Sequence, residues 1–384
     1  MQTNWPELAR HFDQKRDYVL ACITRTEGAT YQKAGCLMLI EASGRCHGLL
    51  SGGCLEADIA LHAKKVRQSD ELLHLSYDLR GDEALLWGLG AGCEGQVDIA
   101  LVALSPKNNH LHFADLLNAV LQGKGACYAL NLERAQAAIA ATNLTCKGID
   151  RGSDQSSDQS PSAQDAANQN LFEQTLSAFE KTLTWNKYIA IAAAPSKRIL
   201  LAGAGPDVHV LIRMFLAMHW QVTVVDHRPA AIDALKQLGE LDSALALENK
   251  VLEKEASEGL KQQIDAKLDK TVDPALIAAA DALVIMTHNL QRDQQWLAAS
   301  LDSELAYIGL LGPKARKQKL LKAIAADGDR DFASLMETSE QRVRGPIGLD
   351  LGGRGPEAIA LSIVAELQRF FSASNSELKP CLKI

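Results

Sequence analysis

The sequence predicts an α/β protein of two domains, an N-terminal α+β unit followed by a doubly wound parallel sheet. Three observations predict this. At 384 residues the chain exceeds the usual reach of one hydrophobic core. A polar, repetitive stretch interrupts it near the middle. The apolar patterning before that stretch is of the hairpin-and-helix kind, whereas after it short apolar runs alternate with helical periodicity. A hydrophobic content of 47% with 23% charged residues belongs to folded rather than disordered chains.

Taken in order, an amphipathic helix is expected over 5–12 and a strand over 18–24. A second strand over 36–41 turns at Ser43-Gly44 and returns over 46–50, which reads as a hairpin. A helix over 54–66 and a strand over 96–102 complete the visible part of the first domain. Between 147 and 169 the tetrad Ser153-Asp154-Gln155-Ser156 recurs at once as Ser157-Asp158-Gln159-Ser160. Such a segment cannot bury a core and is expected to be disordered, with a short helix over 171–183 behind it. The expected organisation is therefore a domain over 1–146, a linker over 147–187 and a second domain over 188–384. In the latter, 199–202, 282–286 and 306–311 are uniformly apolar, as strands covered on both faces are, 221–226 is a further expected strand, and helical stretches follow.

Several classes are excluded. The opening residues lack a basic and then apolar leader, and no apolar run approaches the ~20 residues that cross a bilayer, so a cytoplasmic chain with no membrane contact is expected. A net charge of −7 argues against a nucleic-acid surface. The eight cysteines, at 22, 36, 46, 54, 93, 127, 146 and 381, show no CxxC pair, which argues for reduced thiols and against a structural zinc site.

Four segments could carry chemistry. Gly203-Ala204-Gly205-Pro206-Asp207 joins a strand to a helix, where glycines admit a close backbone approach and free amides attract phosphate. Asp226 closes the next strand, where a Rossmann-like domain places a ribose-binding acid. Val208 stands where a third glycine would fall, and a tight turn without a ligand is the alternative. Ser51-Gly52-Gly53-Cys54-Leu55-Glu56 places a thiol at an expected helix start, where the dipole favours thiolate; a capped bend with an inward cysteine is the competing account. Gly88 to Gly95 is a second glycine-dense loop, carrying Cys93. His288 follows a central strand, at the end where open α/β sheets bind ligands, and serves either as a hydrogen-bonding group toward a ligand or as a loop residue satisfying its own backbone. Asp293 either orients that loop or starts the next helix. The glycine-rich stretch from Gly345 to Gly355 leads into a last helix beginning near Pro356 and Glu357.

In this order the segments resemble the XdhC/CoxI family of xanthine dehydrogenase accessory proteins. The resemblance is carried by Glu27-Gly28-Ala29-Thr30 through Gly35, Gly48 through Glu56, and Gly90-Ala91-Gly92-Cys93-Glu94-Gly95. It continues in Leu201 through Asp207, Val225-Asp226-His227-Arg228-Pro229, Thr287-His288, Gly309-Leu310-Leu311-Gly312 and Pro346-Ile347-Gly348-Leu349-Asp350. It implies an N-terminal XdhC/CoxI-type domain ahead of a Rossmann-like one. It further implies a maturation factor that binds the molybdenum cofactor (molybdopterin) transiently, supports its sulfuration and delivers it to an apo xanthine dehydrogenase-type enzyme. A cysteine desulfurase or other sulfurtransferase would be a second partner, and a homodimer is compatible with that role. The expected cofactor contacts are Ser51, Gly52, Gly53, Cys54, Glu56, Cys93, Gly203, Gly205, Pro206, Asp207, Asp226 and His288, with Cys54 and Cys93 the candidates to touch metal. Tyr31 and Gln32 depart from the Pro-Arg-like pair expected of the family. The rival reading is an NAD(P)-dependent oxidoreductase resting on the glycine turn and Asp226, and a third is a scaffold for sulfurtransferase and apoenzyme.

Overall fold

The computed structural model describes residues 3–80, 95–142, 173–178, 186–237, 264–268, 271–328, 330–374 and 381–383. The chain divides into two compact units, Met1–Thr145 with Asn168–Pro195 and Glu377–Ile384 in the first, and Cys146–Ala167 with Ser196–Ser376 in the second. The whole repeated polar segment over 147–169, and residues 81–94 with Cys93, lie outside the described residues. Of the helix expected over 171–183, residues 173–178 are described and helical.

The first unit runs α1 (Trp5–His11), β1 (Tyr18–Gly28), β2 (Leu37–Glu41), β3 (Cys46–His47), α2 (Glu56–Ser69), β4 (Leu73–Asp78), β5 (Gly95–Leu104), α3 (Phe113–Leu121), β6 (Gly125–Asn131), β7 (Ala137–Thr142) and β8 (Tyr188–Ala193). An antiparallel sheet of order β3-β2-β1-β5-β4 has β1 at its centre. Because side chains alternate along a strand, Tyr18, Leu20 and Cys22 enter one core and Val19, Ala21 and Ile23 the other. A strand covered on both faces must read as an unbroken apolar run, and β1 does so from Tyr18 to Ile23. Helix α2 covers one face with Ile59, Ala63 and Val66. Helix α3 buries Phe113, Leu116, Leu117 and Val120, an i, i+3, i+4, i+7 stripe, against the other core.

One expected boundary is corrected. The run beginning at 188 does not open the second domain: β8 pairs antiparallel with β6, from Asn131↔Tyr188 to Ala126↔Ala193. This register delivers Ile189 and Ile191 to the core that holds Tyr128 and Leu130. An apolar run next to a boundary can be buried by either neighbour, and only the pairing decides.

The second unit runs β9 (Arg198–Ala202), α4 (Val208–Ala217), β10 (Gln221–Asp226), β11 (Ile264–Leu268), α5 (Pro274–Ala279), β12 (Ala282–Ile285), α6 (Leu290–Leu301), β13 (Ile308–Leu310), α7 (Lys314–Asp327), α8 (Phe332–Arg342), β14 (Val343–Arg344) and α9 (Pro356–Ser374). Its six strands are all parallel, in the order β11-β10-β9-β12-β13-β14. Counted within the unit this is 3-2-1-4-5-6, the doubly wound Rossmann order. One core packs α4 and α9 against Ile199, Leu201 and Val224; the opposite core packs α6 and α7 against Leu200, Ala202 and Leu283. Strand order reverses between β9 and β12, and the carboxyl ends of those two strands open a crevice. The chain then returns to the first unit, where β15 (Cys381–Lys383) pairs antiparallel with β8. No helix among the described residues is long and apolar enough to cross a membrane.

Candidate functional site

The crevice between β9 and β12 is shaped by Gly203. Its φ of 120° lies in the region L side chains avoid, and a Cβ there would fall on the Met286 carbonyl beyond β12. Gly203 donates its N–H to the Val225 carbonyl at 2.8 Å, which ties the turn to β10. At Gly205 a Cβ would come within 2.7 Å of the Asp207 carboxylate. Gly203 is therefore required both by close backbone approach and by backbone conformation, whereas at Gly205 the obstacle is a side-chain tip that can move aside.

Asp226 ends β10 with its side chain 1% exposed. It accepts from Ala204 N–H at 2.8 Å, from Arg228 N–H at 2.8 Å, and from the Arg228 guanidinium at 3.0 Å to one oxygen and 2.8 Å to the other. Burial alone would push this carboxyl up. The Arg228 fork and the two backbone donors outweigh it and hold the group down at about 2. Both oxygens are thus committed within the protein, and the pair fastens the glycine turn to the end of β10.

Asp207 precedes α4 without capping it and instead accepts from His288 Nε2 at 2.9 Å. His288 itself has a φ of 56°, a left-handed conformation that costs a non-glycine residue about 1 kcal/mol or more. The surrounding loop enforces it. Thr287 donates its hydroxyl to buried Asp293, Arg316 donates Nε (3.0 Å) and Nη2 (2.6 Å) to the other Asp293 oxygen, and Asn289 caps α6 by accepting from Gln291 and Arg292 amides. Asp293 therefore does orient the loop. Two clefts flank the His288–Asp207 pair. One, of about 110 Å³, has Asp207 beside Leu211, Met286, Ile359 and Ile363; the other, of about 160 Å³, has His288 and Arg316 beside Leu311 and Pro313.

In the first unit, Glu56 is the hub of the Ser51–Glu56 turn. One of its oxygens accepts from Leu50 N–H (3.0 Å) and Ser51 N–H (2.8 Å), and the other from the Ser51 hydroxyl, which in turn accepts from Leu55 N–H at 2.7 Å. Burial opposes ionisation of Glu56, but these donors leave its carboxyl below the usual range. The helix begins at Glu56 rather than at 54, with Leu55 as its N-cap residue. Cys54 consequently lies outside the first helical turn, half-buried and packed against the core around Leu50 and Leu55. Gly52 and Gly53 have φ of 78° and 103°; a Cβ on Gly52 would press the Tyr31 ring, whereas Gly53 faces open space. Elsewhere in this unit Cys22, Cys36 and Cys46 are free thiols, and burial raises all three, Cys36 to about 11. Among the described residues no three His, Cys, Asp or Glu side chains converge in a way that would hold a metal ion.

Comparison with known proteins accounts for both units. Residues 11–78 match the model of the XdhC and CoxI family, and residues 199–367 match that of the XdhC Rossmann domain. The chain belongs to the XdhC/CoxI family. It is 27% identical over 355 residues to a probable xanthine dehydrogenase subunit of Bacillus subtilis (strain 168), covering 92% of this chain and 93% of that protein. A crystal structure of a xanthine dehydrogenase from Bacillus halodurans superposes with a TM-score of 0.67 at 26% identity, covering 97% of this chain and 96% of that one.

In this XdhC/CoxI chain, Gly203, Gly205, Asp207, Asp226 and His288 gather at one sheet edge, with Pro206 in the turn between them. Ser51, Gly52, Gly53, Cys54 and Glu56 form a separate turn in the first unit, and Cys93 lies outside the described residues. Sequence reasoning assigned no role to Arg228, which it met only within a motif, and passed over Arg316. The signal for Arg228 is its place two residues beyond an acid at a strand end, from which a guanidinium reaches back. Arg316 has no local signal, because its partner Asp293 is 23 residues away.

Proposed function

We propose that this protein is an accessory factor for a xanthine dehydrogenase-type molybdenum hydroxylase, binding the molybdenum cofactor, supporting its sulfuration and delivering it to the apoenzyme. The observation that carries the reading is the match of both XdhC units, in order, in a chain whose relatives, matched over nearly their whole length, are named for xanthine dehydrogenase. The glycine turn, where a Cβ at Gly203 would meet the Met286 backbone, leaves the room that a bulky organic cofactor needs for close backbone approach. Gly203, Gly205 and Pro206 would admit such a ligand at the switch point, with Asp207 and His288 as polar contacts. The turn from Ser51 through Gly52, Gly53 and Cys54 to Glu56 would offer a thiol, with Cys93 beside it in role. Partners on this reading are the apoenzyme and a cysteine desulfurase or other sulfurtransferase, and the protein acts in the cytoplasm.

The nicotinamide reading has one observation against it. To bind a ribose, Asp226 would have to release the Arg228 fork and the Ala204 amide, which together hold it ionised in a buried place. Anaerobic purification followed by quantification of molybdenum and released pterin tests the proposal. Stoichiometric pterin supports it; a protein free of pterin and molybdenum that binds NAD(H) overturns it.

A further inference from the structure

The 160 Å³ cleft at the β13–α7 turn has features that the glycine turn does not explain. Arg316 lies along it with its side chain 26% exposed. Its Nε and Nη2 are locked onto Asp293, itself 2% exposed, while Nη1 has no partner among the described residues. Gly312 makes room for this arrangement: its φ is 123°, and a Cβ would lie 2.6 Å from Arg316 Cδ. His288 lines the same cleft, and since Nε2 is committed to Asp207, its Nδ1 edge is the one left for a ligand, accepting from a phosphate P–OH or donating when the ring is an imidazolium. The remaining walls, including Met286, Leu311 and Pro313, are apolar and strengthen any charge interaction inside.

A separate observation points the same way. The first turn of α7 contains Lys314, Arg316 and Lys317 and no acid, the reverse of the charge a helix start favours. Lys317 is occupied by the Ser339 and Val343 carbonyls, and among the described residues only Asp293, behind Arg316, offsets the other two at that end. The space equals about five water molecules, enough for a tetrahedral oxyanion and little more. With its Nε and Nη2 held from behind by Asp293, the guanidinium presents Nη1 and the second N–H of Nη2 to such an oxyanion for charge-assisted hydrogen bonds.

We propose that Arg316 and His288 form an oxyanion site for a phosphate monoester at the β13–α7 turn, distinct from the Gly203–Gly205 turn. It rests on the cofactor reading and deepens it, because the phosphate would belong to the ligand this unit holds. The test titrates the full-length protein with inorganic phosphate and with phenyl phosphate, against chloride at matched ionic strength, by calorimetry and phosphorus NMR. Saturable binding is expected, weakened about tenfold by Arg316→Lys, which keeps a cation for Asp293 but loses the fork, and by His288→Asn. Thermal unfolding of each variant checks that the fold persists, and His288→Asn serves if Arg316→Lys does not fold. Binding of phenyl phosphate alone identifies a phosphate carried on a larger ligand, whereas equal binding of both probes identifies the free ion as sufficient. The absence of saturable binding of either probe, or unchanged affinity in folded variants, overturns the site. Pterin content of the same preparations separates the two readings: pterin retained without phosphate binding sinks only this site, and phosphate binding in a protein that never carries pterin sinks only the cofactor role.

Discussion

Replacing Asp226 by Asn keeps the shape of the β10 end and removes its charge, and the structure gives the size of the effect. A carboxyl held at about 2 against 3.8 in an unstructured chain differs by roughly two pH units, each worth about 1.4 kcal/mol. The ceiling is therefore about 2–3 kcal/mol. Arg228 is 48% exposed, so solvent screens the pair, and about 1–2 kcal/mol is the expected loss at neutral pH. The sign follows from proton counting. The folded state holds this proton less tightly than the unfolded one, so the stabilisation is complete above about pH 5 and declines toward pH 2, with roughly half remaining near pH 3. Urea unfolding of wild type and Asp226→Asn from pH 7 to pH 3 measures the difference. A gap that is absent at pH 7, or that does not narrow as the pH falls, refutes the account of Asp226 as an internal clamp.

Gly203→Ala is expected to destabilise the second unit by about 2–4 kcal/mol, from overlap with the Met286 carbonyl and a left-handed φ, read as a lower thermal midpoint. Cys54→Ser should stay soluble yet leave the partner enzyme inactive or without its sulfido ligand, whereas the same change at Cys22, Cys46 or Cys127 should not; full activation by Cys54→Ser would place it among the structural cysteines. Deleting 147–169 should leave cofactor content unchanged, because that repeated polar sequence cannot form a packed site; a folded deletion variant without pterin would contradict this.

The second unit was largely legible because its central strands are buried and appear as short apolar runs between helical stretches. β9 and β12 contain such runs, β10 carries Val222, Val224 and Val225 within a mixed one, and the glycine turn marks the switch point. The first unit was less legible. β4 alternates half-buried and exposed residues, and β7 is a string of small side chains, so neither announces a strand by hydrophobicity. β8 was legible as a strand but not as a member of the first unit, since nothing local in Tyr188 through Ala193 says which sheet will take it. The site follows the same division. Gly203, Gly205 and Asp226 are adjacent through strand order, which the pattern foretells. The Thr287–Asp293–Arg316 chain and the helix start at Glu56 instead depend on side chains reaching across turns.

The pairing of β15 with β8 has a consequence for biosynthesis. The strands Tyr188–Ala193 and Cys381–Lys383 are neighbours in one sheet, yet the whole parallel sheet of the second unit is translated between them. On the ribosome, the second unit can therefore acquire its complete strand set while the first still lacks one edge, so the order of folding need not follow the order of synthesis. Until β15 emerges, β8 presents an open hydrogen-bonding edge, the kind of surface on which nascent chains aggregate or recruit chaperones.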